Sequence, residues 1–101
     1  MKIIEAQEKV DTSIKNYGGY WEPLSMLARL TEEVGELARA VNQKFGGKKK
    51  KTEDDGREIK EELADVFYTI LALANYLDID LGKELSSKMD KSDKTYKETY
   101  K

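Results

Sequence analysis

Two long stretches of the chain repeat apolar side chains at alternating intervals of three and four residues. This spacing places them on one side of an α-helix, because a helix turns about once every 3.6 residues. The two apolar seams are formed by Leu27, Leu30, Val34, Leu37 and Val41, and by Ile59, Leu63, Val66, Ile70, Leu73 and Leu77. We predict two long helices, over residues 23–45 and 57–77, whose seams pack antiparallel.

Two shorter helices complete the predicted bundle. Residues 2–16 form the first, with helical spacing at Ile3, Gln7, Val10 and Ile14. Asp80 is a suitable N-cap for the last helix, which carries Leu81, Leu85 and Met89. From about residue 91 the chain is strongly polar, and we expect a frayed tail there. The expected fold is all-α, an antiparallel bundle of about four helices formed by residues 1–101 as one domain.

The net charge and the residue composition restrict the functions and the catalytic groups that this chain can have. The chain has 18 basic and 20 acidic residues, a formal net charge of -2, which argues against a general nucleic-acid binder. It contains neither cysteine nor histidine, so disulfides, thiolate chemistry and the usual base near neutral pH are excluded. The groups that remain available for catalysis are carboxylates, lysines, hydroxyls and a metal ion bound by oxygen. With no signal-peptide pattern and no apolar run of transmembrane length, a cytoplasmic protein without membrane contact is expected.

Acidic residues cluster once on each long helix. Glu32, Glu33 and Glu36 form the first cluster, and Glu62 and Asp65 belong to the second. Residues three apart are neighbours on a helix, so Glu33 adjoins Glu36 and Glu62 adjoins Asp65. At about 100° per residue these four carboxylates fall on the shoulders of the apolar seams, whereas Glu32 points further toward solvent. Antiparallel packing of the seams lets the four meet at one edge of the interface.

Four carboxylates in one place repel one another and raise one another's pKa values. A hard divalent cation removes this repulsion, and Mg²⁺ prefers oxygen ligands while keeping waters that a phosphate can displace. The pattern therefore indicates a metal site for a phosphate substrate, with two or more ions for a polyphosphate. Two alternatives remain from the residues alone: a dimerisation bundle with solvated glutamates, or a regulatory module that binds nucleotide or metal without turnover.

The double acidic motif resembles that of the MazG-like nucleotide pyrophosphohydrolases. The family motif is Glu-Glu-x-x-Glu on one helix and Glu-x-x-Asp on the next. Here it reads Glu32-Glu33-Val34-Gly35-Glu36 and Glu62-Leu63-Ala64-Asp65. The likeness covers roughly residues 20–90. It implies a helical fold, obligate oligomerisation, and hydrolysis of a nucleoside triphosphate to the monophosphate and pyrophosphate, including the removal of non-standard nucleotides.

The resemblance also implies roles for individual residues. The expected ligands of Mg²⁺, or of Mn²⁺ in its place, are Glu33, Glu36, Glu62 and Asp65. Glu32 or Glu33 is expected to accept the proton of the attacking water. Family members often place basic residues near the C-terminus for the phosphates, and the corresponding residues here are Lys88, Lys91 and Lys94.

Three further features each have two interpretations. Trp21 is either an aromatic wall for the nucleobase or a cap on the end of the core. Asn75 either contacts substrate or packs beside the bundle. A charged loop either covers the triphosphate or is simply solvated, and its basic residues are Lys48, Lys49, Lys50 and Lys51.

The width of the apolar face on the third helix predicts self-association. Phe67, Leu71 and Ala74 lie roughly 100° round from the seam of Val66 and Ile70. One partner helix in a short chain cannot cover that width, and a 101-residue monomer has a poor ratio of core to surface. We expect a homodimer or homotetramer, with the acidic site near the subunit interface.

Overall fold

The computed structural model describes residues 1–46 and 55–99, with side chains from residue 58 onward in the second range. These residues form four helices: α1 (Ile3–Asn16), α2 (Pro23–Phe45), α3 (Asp55–Tyr76) and α4 (Leu81–Thr99). The predicted all-α bundle is confirmed. The bounds of α2 agree with the prediction at both ends, and α3 begins two residues earlier than expected.

A tight turn rich in glycine joins α1 to α2. Gly18 and Gly19 have φ angles of 107° and 90°, a left-handed conformation that side chains rarely adopt. The Gly19 N–H donates to the Ile14 carbonyl over 2.9 Å and closes the end of α1. Pro23 then occupies the first turn of α2, where its missing N–H costs no hydrogen bond. The turn therefore fixes residues 20–21 beside the start of α2.

α2 and α3 run antiparallel and form the main helix pair of the bundle. Glu33 meets Asp65, and further along α2 the Arg39 guanidinium lies 3.8 Å from the Glu58 carboxylate. Residue numbers therefore increase along α2 in the direction in which they decrease along α3. The core lies at the other end of this pair, where α1 joins it, and consists of Val10, Met26, Leu71 and Ala72.

The buried side of α2 differs from the predicted seam. Leu30 and Leu37 are half-buried as expected, but Leu27, Val34 and Val41 are 49%, 47% and 40% exposed. The buried residues of α2 are Met26, Glu33 and Ala40. Each of them lies one position before one of these three exposed residues. The expectation that Glu33 lies on the shoulder of the seam was wrong. It lies inside the buried strip, because the chain covers only one flank of a wider apolar face.

The same displacement occurs on α3. Leu71, Ala72 and Ala74 are buried, whereas Leu63 and Phe67 are 52% and 45% exposed. Both exposed residues lie next to the acidic motif of this helix. Within the described residues the apolar face is therefore wider than the surface that one chain covers, as the spacing of its apolar residues predicted.

Asn75 is a structural residue within the chain. Its side-chain amide donates to the Gln7 backbone carbonyl over 2.8 Å and accepts from the Gln7 amide over 3.0 Å. The buried Gln7 also donates to the Ile79 carbonyl and accepts from the Leu81 N–H. These four bonds tie α1 to the end of α3 and the start of α4, which supports the packing interpretation of Asn75.

α4 begins at the predicted cap but does not fray where expected. The Asp80 carboxylate accepts from the Lys83 N–H over 3.1 Å, which is the geometry of an N-cap. The frayed tail expected from about residue 91 was wrong, since the helix continues to Thr99 although none of its residues is buried. Leu81 packs on the core, while Leu85 and Met89 are exposed. No helix in the described ranges is long and apolar enough to cross a membrane.

Candidate active site

Three of the predicted carboxylates meet where α2 and α3 pack. One oxygen atom from each of Glu33, Glu62 and Asp65 lies within 4.8 Å of the other two. Glu33 is buried, Glu62 is half-buried and Asp65 is exposed, so the cluster extends from the helix interface to the surface. Antiparallel packing places the two motifs opposite each other, as predicted, although closer to the interface than the shoulder position implied.

Two oxygen atoms of the cluster have unmet hydrogen-bonding capacity. In the described part of the chain, Oε2 of Glu33 and Oε2 of Glu62 are buried without a hydrogen-bond partner. Burying an unpaired carboxylate oxygen is unfavourable, so such atoms are rare unless a ligand or a proton satisfies them. This observation separates the cluster from ordinary solvated glutamates on a helix surface.

Arg29 is the counter-charge of Glu33. Its Nη2 atom lies 2.8 Å from Oε1 of Glu33, and its Nη1 atom lies 3.6 Å from Oε2 of Glu32. Burial raises the pKa of Glu33 above its ordinary value, the charge of Arg29 opposes that rise, and Glu36 and Asp65 add to it. Arg29 therefore favours the ionised form of Glu33, against the effect of burial.

Glu36 and Glu32 differ in their relation to the cluster. Glu36 lies close enough to Glu62 across the helix pair to add to the effect of burial in raising the pKa of Glu62, so the fourth predicted ligand adjoins the other three. The side chain of Glu32 is 65% exposed and its recorded contact is the ion pair with Arg29. Its predicted direction, away from the cluster, agrees with this position.

A cavity of about 280 Å³ adjoins the acidic cluster. Its lining includes the carboxylates of Glu33 and Asp65 and the rings of three aromatic residues, Tyr20, Trp21 and Tyr68. A cavity lined by both carboxylates and aromatic rings suits a ligand that has a charged part and a flat apolar part. Trp21 is 61% exposed in this lining, which does not fit its alternative interpretation as a cap on the core.

The turn that carries Trp21 is anchored by its neighbour. The Tyr20 hydroxyl donates to the Asp11 carboxylate on α1, and its ring packs edge-on against Tyr76 with centroids 6.1 Å apart. Burial and the bond to Asp11 raise the pKa of Tyr20 to about 12. Trp21 is therefore held at the cavity by a residue fixed to both α1 and α3.

The structure supplies a cation that the sequence analysis did not consider. Arg29 lines the cavity, and its spacing of four residues before Glu33 was a readable signal for an ion pair along the helix. The three α4 lysines predicted to contact the phosphates do not line this cavity and are exposed: Lys88, Lys91 and Lys94. The basic run predicted to cover the triphosphate, Lys48 to Lys51, lies outside the described residues.

The donor set of the cluster fits a hard divalent cation. It consists entirely of carboxylate oxygens, the ligand type that Mg²⁺, Mn²⁺ and Ca²⁺ prefer. The unpaired oxygens of Glu33 and Glu62 are the groups that such an ion would satisfy. The exposed side of the cluster, at Asp65, opens toward the cavity that the two helices share with Trp21.

Comparison with known proteins gives consistent matches along most of the chain. Residues 21–99 match the MazG nucleotide pyrophosphohydrolase domain. The chain is 50% identical over 82 residues to an uncharacterized protein, YpjD of Bacillus subtilis strain 168, across 80% of this chain and 72% of YpjD. Its fold resembles the crystal structure of YPJD from Bacillus subtilis, a candidate pyrophosphatase, with a TM-score of 0.83 and 46% identity. That match covers 90% of this chain and 94% of the other. The crystal structure of a Bacillus-conserved MazG protein, a nucleotide pyrophosphohydrolase, gives a TM-score of 0.78 and 41% identity over 90% and 88% of the two chains.

Proposed function

Because the chain belongs to the MazG nucleotide pyrophosphohydrolase family, we propose that it hydrolyses a nucleoside triphosphate to the monophosphate and pyrophosphate with the help of Mg²⁺. The family assignment confirms the resemblance seen in the double acidic motif. The observation that carries the proposal is the pair of buried, unpaired oxygens on Glu33 and Glu62, beside a cavity with an aromatic wall. A dimerisation bundle needs neither feature.

The proposed ligands of the ion are the carboxylates of the two motifs. Glu33, Glu62 and Asp65 supply oxygens within 4.8 Å of one another, and Glu36 adjoins Glu62. Mg²⁺, or Mn²⁺ in its place, supplies positive charge against which the phosphates can be oriented and a nearby water made more acidic.

We assign the acceptance of the water's proton to Glu33 rather than to Glu32. Glu33 has a free oxygen inside the site, and burial raises its pKa, which makes it a stronger base than an exposed carboxylate. Glu32 is largely exposed and engaged with Arg29. Arg29 holds Oε1 of Glu33, so Oε2 faces both the ion and the water beside it, with one lone pair for the ion and one to accept the proton.

We propose that the nucleobase binds against the aromatic residues of the cavity. Trp21 and Tyr68 present rings to the cavity, and stacking of a base on such a ring contributes about 1–3 kcal/mol. With the base at Trp21, the phosphates extend toward Glu33 and Asp65 on the same cavity wall. The shape of the site therefore matches a nucleotide better than it matches inorganic pyrophosphate alone.

We further propose that the protein works as a homodimer or a pair of dimers. The exposed residues Leu27, Val34 and Val41 recur every seven residues along one flank of α2, and Leu63 and Phe67 lie exposed on α3. Contact with a second copy would cover these residues. Val34 adjoins Glu33 in sequence and Leu63 adjoins Glu62, so such an interface would lie beside the acidic cluster.

The decisive experiment measures pyrophosphate release from a panel of ribo- and deoxynucleoside triphosphates, with Mg²⁺ and with a chelator. We expect release that requires the cation and is stoichiometric with the monophosphate. Monophosphate with two equivalents of phosphate would instead indicate successive removal of single phosphates. No release from any nucleotide, in protein that binds Mg²⁺, would favour a regulatory module and contradict the proposal.

A further inference from the structure

Arg29 is the one lysine or arginine among the described residues that line the cavity. Its side chain is about half exposed, and its close contact is Oε1 of Glu33 at 2.8 Å. A phosphate chain that enters the cavity therefore meets a cation on α2, whereas the sequence had pointed to lysines on α4. The position of Arg29 relative to Trp21 and to the acidic cluster determines which phosphate of a nucleotide it can reach.

Arg29 lies between Trp21 and Glu33 in the direction of the α2 axis. Met26, Arg29 and Glu33 line the cavity at spacings of three and four, which places them along one face of α2. A helix rises about 1.5 Å per residue, so Arg29 precedes Glu33 by roughly 6 Å, on the side toward Trp21. A nucleotide with its base at Trp21 and its outer phosphates at the acids passes Arg29 with the phosphate next to the sugar.

The guanidinium group has donors to spare for that phosphate. It carries five N–H groups, of which one is directed to Glu33 at 2.8 Å, while Glu32 is 3.6 Å away. Charge-assisted hydrogen bonds from arginine to phosphate oxygens are short and can be bidentate. Half of the side chain is accessible, so a phosphate can approach without displacing Glu33.

We propose that Arg29 binds the phosphate group attached to the nucleoside, and that its charge opposes the binding of a cation at Glu33 until a nucleotide is present. This inference rests on the proposed function and names the residue that distinguishes a nucleotide from a nucleoside. It gives Arg29 two effects of opposite sign. Removal of the guanidinium weakens the binding of a nucleoside monophosphate, and it does not weaken the binding of a divalent cation alone.

The test uses the full-length protein and the variants Arg29→Gln and Arg29→Lys. Arg39→Gln is a matched control, because Arg39 lies on the same helix, pairs with Glu58 at 3.8 Å and is outside the cavity. The probes are dAMP, dGMP, dCMP and dTMP with the corresponding nucleosides, all in the presence of a chelator. Mn²⁺ alone is a separate probe, titrated at about pH 8.5 so that a proton on Glu33 does not compete. Circular dichroism confirms that each variant is folded.

We expect Arg29→Gln to bind the preferred monophosphate about 10- to 100-fold more weakly, the range given by the loss of a charge-assisted hydrogen bond. Binding of the nucleoside should not change, and Mn²⁺ should bind as tightly as before or more tightly. Arg29→Lys should recover part of the monophosphate affinity, and Arg39→Gln should match the unmodified protein.

Three results would overturn the inference. They are equal losses of Mn²⁺ and monophosphate affinity in Arg29→Gln, unchanged monophosphate affinity in that variant, and an unmodified protein that binds monophosphate no better than nucleoside. Equal losses of the two affinities would show that Arg29 only positions Glu33 and does not bind phosphate. Pyrophosphate release by the unmodified protein is scored separately. Release without an Arg29 effect contradicts this inference alone, and an Arg29 effect without release contradicts the proposed hydrolysis alone.

Discussion

Glu36 lies close to Glu62 across the α2–α3 interface, so the two carboxyl groups act directly on each other. Burial raises the pKa of Glu62 above its ordinary value of 4.5, and the proximity of Glu36 raises it further. A cation in the cluster therefore competes with a proton for Glu62, so metal binding is coupled to pH.

The stability of the metal-free protein should decrease as the pH rises from 4.5. A carboxyl group whose pKa is raised by folding contributes stability below 4.5, and this is lost as the pH rises through the raised pKa. Glu62→Gln should flatten the dependence, measured as the free energy of unfolding in denaturant with a chelator. Glu5→Gln, on the exposed first turn of α1, is the control. An equal slope in Glu62→Gln and the unmodified protein would show that Glu62 does not carry the effect.

Glu36→Gln or Asp65→Asn should abolish hydrolysis without unfolding the protein. Neutral amides are poor ligands for Mg²⁺, while loss of one repelling charge does not harm the metal-free fold. We expect turnover to fall at least about 100-fold, beyond the usual effect of groups that only support a metal ligand. Glu32→Gln is the control for metal binding and should be milder, since Glu32 lies outside the cluster. Near-normal turnover at limiting Mg²⁺ in either variant would contradict the ligand assignment.

Mg²⁺ and a nucleotide together should stabilise the protein more than the sum of their separate effects. A ligand that binds only the folded state adds about 2.7 kcal/mol when present at a hundredfold of its Kd. The two ligands neutralise each other at Glu33 and Asp65, so each should tighten the binding of the other. The measurement is a thermal melt with a non-hydrolysable triphosphate analogue, Mg²⁺, both, or neither. Additive shifts would argue against a shared site.

Trp21 should report nucleotide binding directly, because it is the single tryptophan of the chain and lines the cavity. We expect nucleotide to quench its fluorescence. Trp21→Ala should raise KM about 10-fold, the loss of one stacking contact, and change kcat little. Tyr17→Ala is a suitable control, since Tyr17 is an aromatic residue of the same turn, is 86% exposed and does not line the cavity. A larger fall in kcat than rise in KM would place Trp21 in another role.

Val41→Glu should shift the protein toward the monomer. Val41 is 40% exposed, and a charge within the proposed subunit contact would be buried without a partner. Light scattering at micromolar concentration measures the mass, with Ser25→Glu, an exposed polar position on the same helix, as the control. A monomer mass for the unmodified protein, in a folded and active sample, would refute the proposed assembly.

The sequence predicted the helices and the acidic motif better than it predicted their burial. Apolar spacing fixes where a helix forms and which face is apolar, and it gave the bounds of α2 correctly. It does not show which residues of an apolar face pack within the chain and which stay exposed. For that reason Glu33 was predicted at the edge of the contact, whereas Val34 takes the exposed side and Glu33 the buried one. The polar end of α4 was misjudged because helix propensity was given less weight than the absence of apolar residues.

Gln7 has a consequence for the alignment of α1. The apolar residues of this helix recur so regularly that they alone would allow it to slide along α3 by one turn. Such a slide would bring Ile3 or Asp11 to the place of Gln7. It would leave the amide of Asn75, the carbonyl of Ile79 and the N–H of Leu81 without their present partners. Each unpaired buried group costs about 1–3 kcal/mol, so one glutamine selects a single register from several that hydrophobic contact would accept.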